Sequence, residues 1–194
     1  MVTPTMRDVM TRQVRACVLE PTPAAVMRAA MAPDRVVGWL SRAYRSIRDR
    51  LAHDGVTAVG PPFACYTVDD DRVAIEAGYP VSIAVAGDGL VMASGLPGGP
   101  AAVTVHDGPL DSIEATYECV ESWLAGQGFT VRGRHWERYL VGDMTNEDDT
   151  SRWRTEVVVP YGWDRWIPIV RHPDGTGAER AATWAGQVVR TLSP

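Results

Sequence analysis

The sequence predicts an α+β fold: two strand-helix-strand-strand modules, related by a pseudo-twofold axis, forming a curved antiparallel sheet with a central groove and helices on one face. Three observations predict it. The chain matches itself when shifted by 73 residues; each copy holds one segment of helical period closed by glycine; and each helix is followed by two β-rich segments split by a polar turn. In the shifted match residues 51–68 fall on 124–141, and seven of these 18 positions are identical without a gap, among them Gly55 with Gly128 and Tyr66 with Tyr139. Average residue usage gives about one identity. Upstream, Tyr44 falls on Tyr117 and Ile47 on Val120, so the repeat reaches back into the helix.

Module one spans about 13–85. Residues 13–21 read as a short strand. A helix follows over 34–53, with Asp34 as N-cap and Val36, Val37, Leu40, Ala43, Tyr44, Ile47 and Leu51 at helical spacing. Its other face carries Arg35, Arg42, Arg45, Arg48 and Arg50, which reads as a solvated face. Gly55 stops the helix. Strands over 58–68 and 72–85, split by Asp69-Asp70-Asp71, make a hairpin.

Module two spans about 91–160. Residues 100–106 form a strand, and His106-Asp107-Gly108-Pro109 turns the chain. Asp111 and Glu114 stand three apart, as in a capping box. Ile113, Tyr117, Val120 and Leu124 form the buried stripe, and Gly126 and Gly128 end the helix. Strands over 131–141 and 153–159 flank an acidic, polar loop, 142–152. With one helix per module, the sheet face away from the helices is left bare, and that face is the expected groove. Residues 1–160 thus make one domain, and 161–194 a C-terminal extension packing on it. The extension carries Tyr161, Trp163, Trp166 and Trp184 and a helical stretch over 178–192. It either packs a sheet edge or brings Trp163 or Trp166 to the groove rim.

Composition narrows the function. The 194 residues are 45% hydrophobic and 22% charged, which is ordinary for a globular chain. Net charge is −5, which argues against a nucleic-acid binder needing a basic face. Cys17, Cys65 and Cys119 are scattered, arguing against a disulfide framework or zinc ribbon and for a reducing, cytoplasmic setting. His53, His106, His135 and His172 lack ligand spacing, so neither metal nor other cofactor is expected. The first 30 residues have no signal-peptide pattern, and no stretch approaches 18 apolar residues, so no membrane partner is expected. Seven Trp and six Tyr against two Phe favour surfaces that are apolar and polar at once.

Departures between the copies point to chemistry. Residues 60–66 lie on 133–139, so Ala64 faces Glu137 in the repeat while Tyr66 and Tyr139 agree. Residues two apart on a strand share a face, so Glu137 sits beside Tyr139, and Ala64 beside Tyr66. About a pseudo-twofold axis both tyrosines and the single glutamate converge. A carboxylate among aromatic faces suits a bulky organic cation, each ring contributing about 0.5–2 kcal/mol. The alternative placement is solvent, with Arg134 or Arg138 as the partner of Glu137.

Several segments, in order, resemble a known family: 60–66 (GPPFACY), 73–81 (VAIEAGYPV), Leu96-Pro97 with Ala101, 106–111 (HDGPLD), Tyr117 with Trp123-Leu124, Trp136-Glu137-Arg138-Tyr139, and 155–160. The stretch of about 13–160 resembles the GyrI-like small-molecule-binding domain, also called the AraC- or MerR-type effector-binding domain. The resemblance implies paired modules around a groove that binds hydrophobic, often cationic, drug-like molecules. It implies Glu137 as the groove anion with Tyr139 beside it. Together with the repeat, it makes Glu137, Tyr139, Tyr66, Ala64, Trp163 and Trp166 the candidate ligand-binding residues.

In regulators of this kind the domain follows a helix-turn-helix unit, and the dozen residues before the first strand are too few for one. The expectation is therefore a stand-alone module that sequesters or senses xenobiotics and does not bind DNA in cis. Two alternatives stay open. Some family members hydrolyse cyclopropane-bearing DNA-alkylating compounds, in which case Glu137 is catalytic and handles the water. The family's namesake inhibits gyrase, and the acidic runs Asp69-Asp70-Asp71 and Glu147-Asp148-Asp149 suit such a protein contact. Binding and turnover use the same residue types, so sequence does not separate them, nor does it set the ligand or oligomeric state.

Overall fold

The structure, a computed structural model, describes residues 13–69, 72–141 and 152–163. In chain order the elements are β1 (Arg15–Leu19), β2 (Thr22–Met31), α1 (Val36–Asp54), β3 (Phe63–Asp69), β4 (Arg72–Pro80), β5 (Met92–Leu96), β6 (Gly99–Asp107), α2 (Glu114–Gly126), β7 (Phe129–Val131), β8 (Trp136–Val141) and β9 (Arg154–Trp163). The strands form one antiparallel sheet in the order β1-β6-β9-β8-β3-β4-β2-β5, with β7 paired to β9. The order is symmetric about the β8–β3 seam when β2, α1, β3 and β4 are matched with β6, α2, β8 and β9. The expected α+β architecture of two repeated modules is thus present.

Three assignments differ. The first strand of module one is β2, not 13–21. Residues 15–19 form β1, which pairs with β6 of the other module. In the equivalent exchange, β5 leaves module two to pair with β2. The segment over 58–68 is a strand only from Phe63, with Ala58 held by a single bridge to Val81, and β4 ends at Pro80. The segment over 131–141 is broken into β7 and β8 at Gly133, whose φ of 71° is easy for glycine alone.

Neither expected side-chain cap forms. A tight 3-10 turn precedes each helix, Pro33–Arg35 and Leu110–Ser112, and its i→i+3 bonds satisfy the starting N–H groups. Each turn is launched by proline at its start, Pro33 and Pro109. The start of α2 is also pinned by His106, fully buried, with Nδ1 2.8 Å from Thr116 Oγ1 and Nε2 2.9 Å from the Pro109 carbonyl. A carbonyl only accepts, so Nε2 carries the hydrogen and Nδ1 accepts from Thr116. Gly55, at φ 65°, ends α1 as its position predicts.

Both sheet faces are packed. On the helix face Leu40, Tyr44, Ile47 and Leu51 of α1 and Tyr117, Val120 and Leu124 of α2 bury against Val73, Ile75, Ala77, Ala102 and Val157. On the opposite face Phe63 and Trp136 bridge Ala24 and Val26 of β2 to Ala101, Val103 and Val158. Strands β2 and β6 have four strands between them in the sheet yet share this cluster, so the sheet is curled over its own core. The curl also brings the two strand connectors together: a Cβ on Gly98 would stand 2.8 Å from Pro21 N and 2.9 Å from the Leu19 carbonyl oxygen. The face away from the helices is therefore filled by Phe63 and Trp136, not bare as the sequence predicts. No helix among the described residues is long and apolar enough to cross a membrane.

Candidate functional site

The seam between the modules is short. Strands β3 and β8 register only at Phe63 with Arg138 and Ala64 with Glu137, extended by the Tyr139 N–H donating to the Pro62 carbonyl at 3.0 Å. This places the odd pair, Ala64 and Glu137, at the pseudo-axis and on the face that carries α1 and α2. The lateral row through it reads Thr104, Val157, Glu137, Ala64, Ala77, Met27. Ala64 and Ala77, on one side of Glu137, are fully buried in the helix-face core.

Glu137 is 2% exposed and held by phenols. Tyr117 Oη donates to Oε1 and Tyr139 Oη to Oε2, each at 2.9 Å. Tyr66 Oη, the repeat twin of Tyr139, stands 2.6 Å from Tyr139 Oη. The Arg134 and Arg138 alternative is settled against: Arg134 reaches Glu76 and Arg138 reaches Glu156, both on the opposite face. Burial pushes the Glu137 carboxyl up to about 7, and the two phenolic hydrogen bonds hold it from rising further.

Glu137, Tyr139, Tyr66 and Ala64 are thus brought together as the strand period predicts. Trp163 is not placed beside them. Trp163 ends β9 opposite Phe129, six residues beyond Val157, the register partner of Glu137, which is about 20 Å along a strand. Trp166 lies outside the described residues.

Three further aromatics belong to the site. Tyr117 of α2 is the second donor to the carboxylate. Its twin on α1, Tyr44, finds only Ala64 at the equivalent place and donates instead to the Phe63 carbonyl at 3.0 Å. Tyr44 also meets Tyr79 and Tyr139 edge-on, with ring centroids 5.7 and 6.4 Å apart. His135, two residues before Glu137 on the same face, stands edge-on to Tyr117 at 5.1 Å. Burial pushes its pKa down to about 4, so the ring is neutral at ordinary pH. The signal was available: Tyr44 and Tyr117 are identical in the repeat, and His135 takes the place of Pro62 just as Glu137 takes that of Ala64. Thr104, in the same lateral row, keeps a buried hydroxyl without a hydrogen-bond partner. No group of three or more His, Cys, Asp or Glu side chains suited to a metal occurs among the described residues.

Residues 12–161 match the GyrI-like small molecule binding domain. The chain belongs to that family. No curated protein matches it. Among solved structures it is similar to the EcmrR C-terminal domain, at 17% identity and a TM-score of 0.67 over 79% of this chain and 99% of that one. It covers 57% of the EcmrR chain seen in complex with DNA, at 19% identity and a TM-score of 0.66. It is also similar to a hydrolase from Listeria innocua (12% identity, TM-score 0.59, 78% of this chain and 92% of that one). SAV2435 bound to tetraphenylphosphonium matches at 15% identity and a TM-score of 0.55, over 77% of this chain and 94% of that one. At these identities the likeness establishes the fold.

Proposed function

We propose that the protein binds lipophilic, aromatic monocations at Glu137, between α1 and α2, as a cytoplasmic receptor that sequesters or senses xenobiotics. The observation that carries this reading is a fully buried carboxyl whose hydrogen-bond partners, among the described residues, are all phenols. Burying a carboxyl without a cation is costly, and a site that retains one is matched to a cation supplied from outside. The rings of Tyr44, Tyr66, Tyr117 and Tyr139 supply apolar area and negative faces, and Thr104 Oγ1 is a free polar contact. All four rings are buried, so entry requires them to rotate or the helices to part. The tetraphenylphosphonium held by SAV2435 is a ligand of this chemistry.

Titration with a fluorescent lipophilic cation tests the reading. Micromolar binding is expected, weakened at least about tenfold in Glu137→Gln, or about 1.4 kcal/mol. Millimolar-only affinity, or equal affinity in the variant, counts against it. A second reading rests on the carboxyl at about 7: a group poised there moves protons well, as a hydrolase acting on cyclopropane-bearing alkylating compounds needs. Product analysis with such an electrophile separates the two, since the receptor returns its ligand unchanged. The gyrase-type contact has no support here, because Asp70, Asp71 and the run Glu147-Asp148-Asp149 lie outside the described residues.

A further inference from the structure

Each phenol has one hydrogen to give. With Glu137 ionised, Tyr117 and Tyr139 both direct theirs at the carboxylate, so the 2.6 Å bond between Tyr66 and Tyr139 runs from Tyr66. With Glu137 protonated at Oε2, the carboxyl becomes a donor. Tyr139 then accepts from it and turns its own hydrogen to Tyr66, a direction the same contact accommodates. The chain Tyr66–Tyr139–Glu137 therefore satisfies the carboxyl in either protonation state.

The other titratable groups around it keep one charge state near neutrality. Tyr44 of α1, Tyr117 of α2, Tyr66 of β3 and Tyr139 of β8 are held well above the ordinary phenol range, first by burial and then by the neighbouring charges. Tyr79 of β4 meets the Tyr44 ring edge-on. His135 is neutral above about 4. Cys65, on the far face of β3, is pushed up to about 12 by burial. Strand β9 contributes Val157 at this row. Among the described residues no arginine pairs with Glu137.

We propose that the site exchanges a cation for a proton: entry of one lipophilic monocation expels one proton from Glu137 to the solvent. This rests on the cation-binding reading and specifies its regulation. The balance is simple. The neutral acid, the cation and a buffer base give a carboxylate–cation pair and the protonated buffer, with no bond of the ligand broken. With the carboxyl at about 7, apparent affinity falls about tenfold per pH unit below that point and levels off above it. At pH 5 binding is then about 100-fold weaker than at pH 9.

The probe is tetraphenylphosphonium, whose charge is permanent and does not titrate. Calorimetry on the full chain, in two buffers of different ionisation enthalpy, reads the proton directly. About half a proton per ligand is expected at pH 7 and nearly one at pH 6. The Glu137→Gln variant should bind weakly, without release and without pH dependence. Independently of any variant, the infrared carbonyl band of a neutral carboxylic acid should be present at pH 6 and vanish when the probe is added. Tight binding without proton release overturns the exchange and leaves the cation receptor standing. No binding anywhere from pH 5 to 9 overturns the receptor itself.

Discussion

Glu137 is the residue on which the energetics of the fold and the proposed cation site meet. Its carboxyl sits at about 7 in the fold against an ordinary 4.5, so the folded chain keeps a proton that the unfolded chain releases in between. The unfolded state binds fewer protons across that window, so its contribution to stability falls as pH rises from about 4.5 to about 7. The loss is about 3 kcal/mol at most. Denaturant unfolding of wild type and Glu137→Gln at pH 5 and pH 8 isolates it: the variant gains on the wild type between the two, and is the more stable at pH 8. A difference that ignores pH would mean the carboxyl is not desolvated. This residue was legible in the sequence because a strand alternates with period two and the repeat offers Ala64 for comparison. The phenolic clamp was not. Tyr117 was visible as part of a buried stripe, but periodicity shows that a residue is inside, not which polar atom its hydroxyl meets.

At the scale of elements, the site depends on how α2 begins, because that turn sets where Tyr117 points. His106 fixes it by joining Thr116 on the helix to the Pro109 carbonyl before it. His106→Leu removes both bonds and leaves Thr116 Oγ1 and the Pro109 carbonyl without this partner. The expected cost is about 2–4 kcal/mol, with weakened cation binding as α2 shifts, measured by unfolding and by titration of one preparation. Stability unchanged within about 0.5 kcal/mol would show the turn to be held by its backbone bonds alone. The helices and four central strands were readable from period and glycine. Strand β2 was not, since its Thr-Pro-Ala-Ala-Val-Met-Arg-Ala-Ala-Met has few β-branched residues and its strand state is imposed by β4 and β5 on either side. Strand β5 is five residues of small and polar type, again set by its partner.

At the scale of the molecule, the halves are interlocked rather than docked. Strand β1 completes the edge of module two, and β5 that of module one. Produced separately as 1–89 and 90–194, each half lacks an edge strand and half of the Phe63–Trp136 core. Neither is expected to unfold cooperatively alone, and mixing them should restore one transition in circular dichroism. Two separable transitions in the intact chain would contradict this. The duplication announced the architecture, but the exchange was hidden. A self-match shows which residues are equivalent, and says nothing of which copy a flanking strand joins. The same gap left the far face reading as bare, because nothing in the pattern showed the sheet curling over Trp136.

The replacement of Ala64 by Glu137 across the axis makes a symmetric scaffold handed in its charge. On the proposed cation reading, a guest with a single positive centre is neutralised in one orientation only, since turning it end for end sets that centre over a methyl group. A guest with two positive centres leaves the second over Ala64, stripped of water and unanswered. Bis-quaternary compounds should therefore be turned away however well their outline fits, the count of charges on a molecule mattering more than its shape.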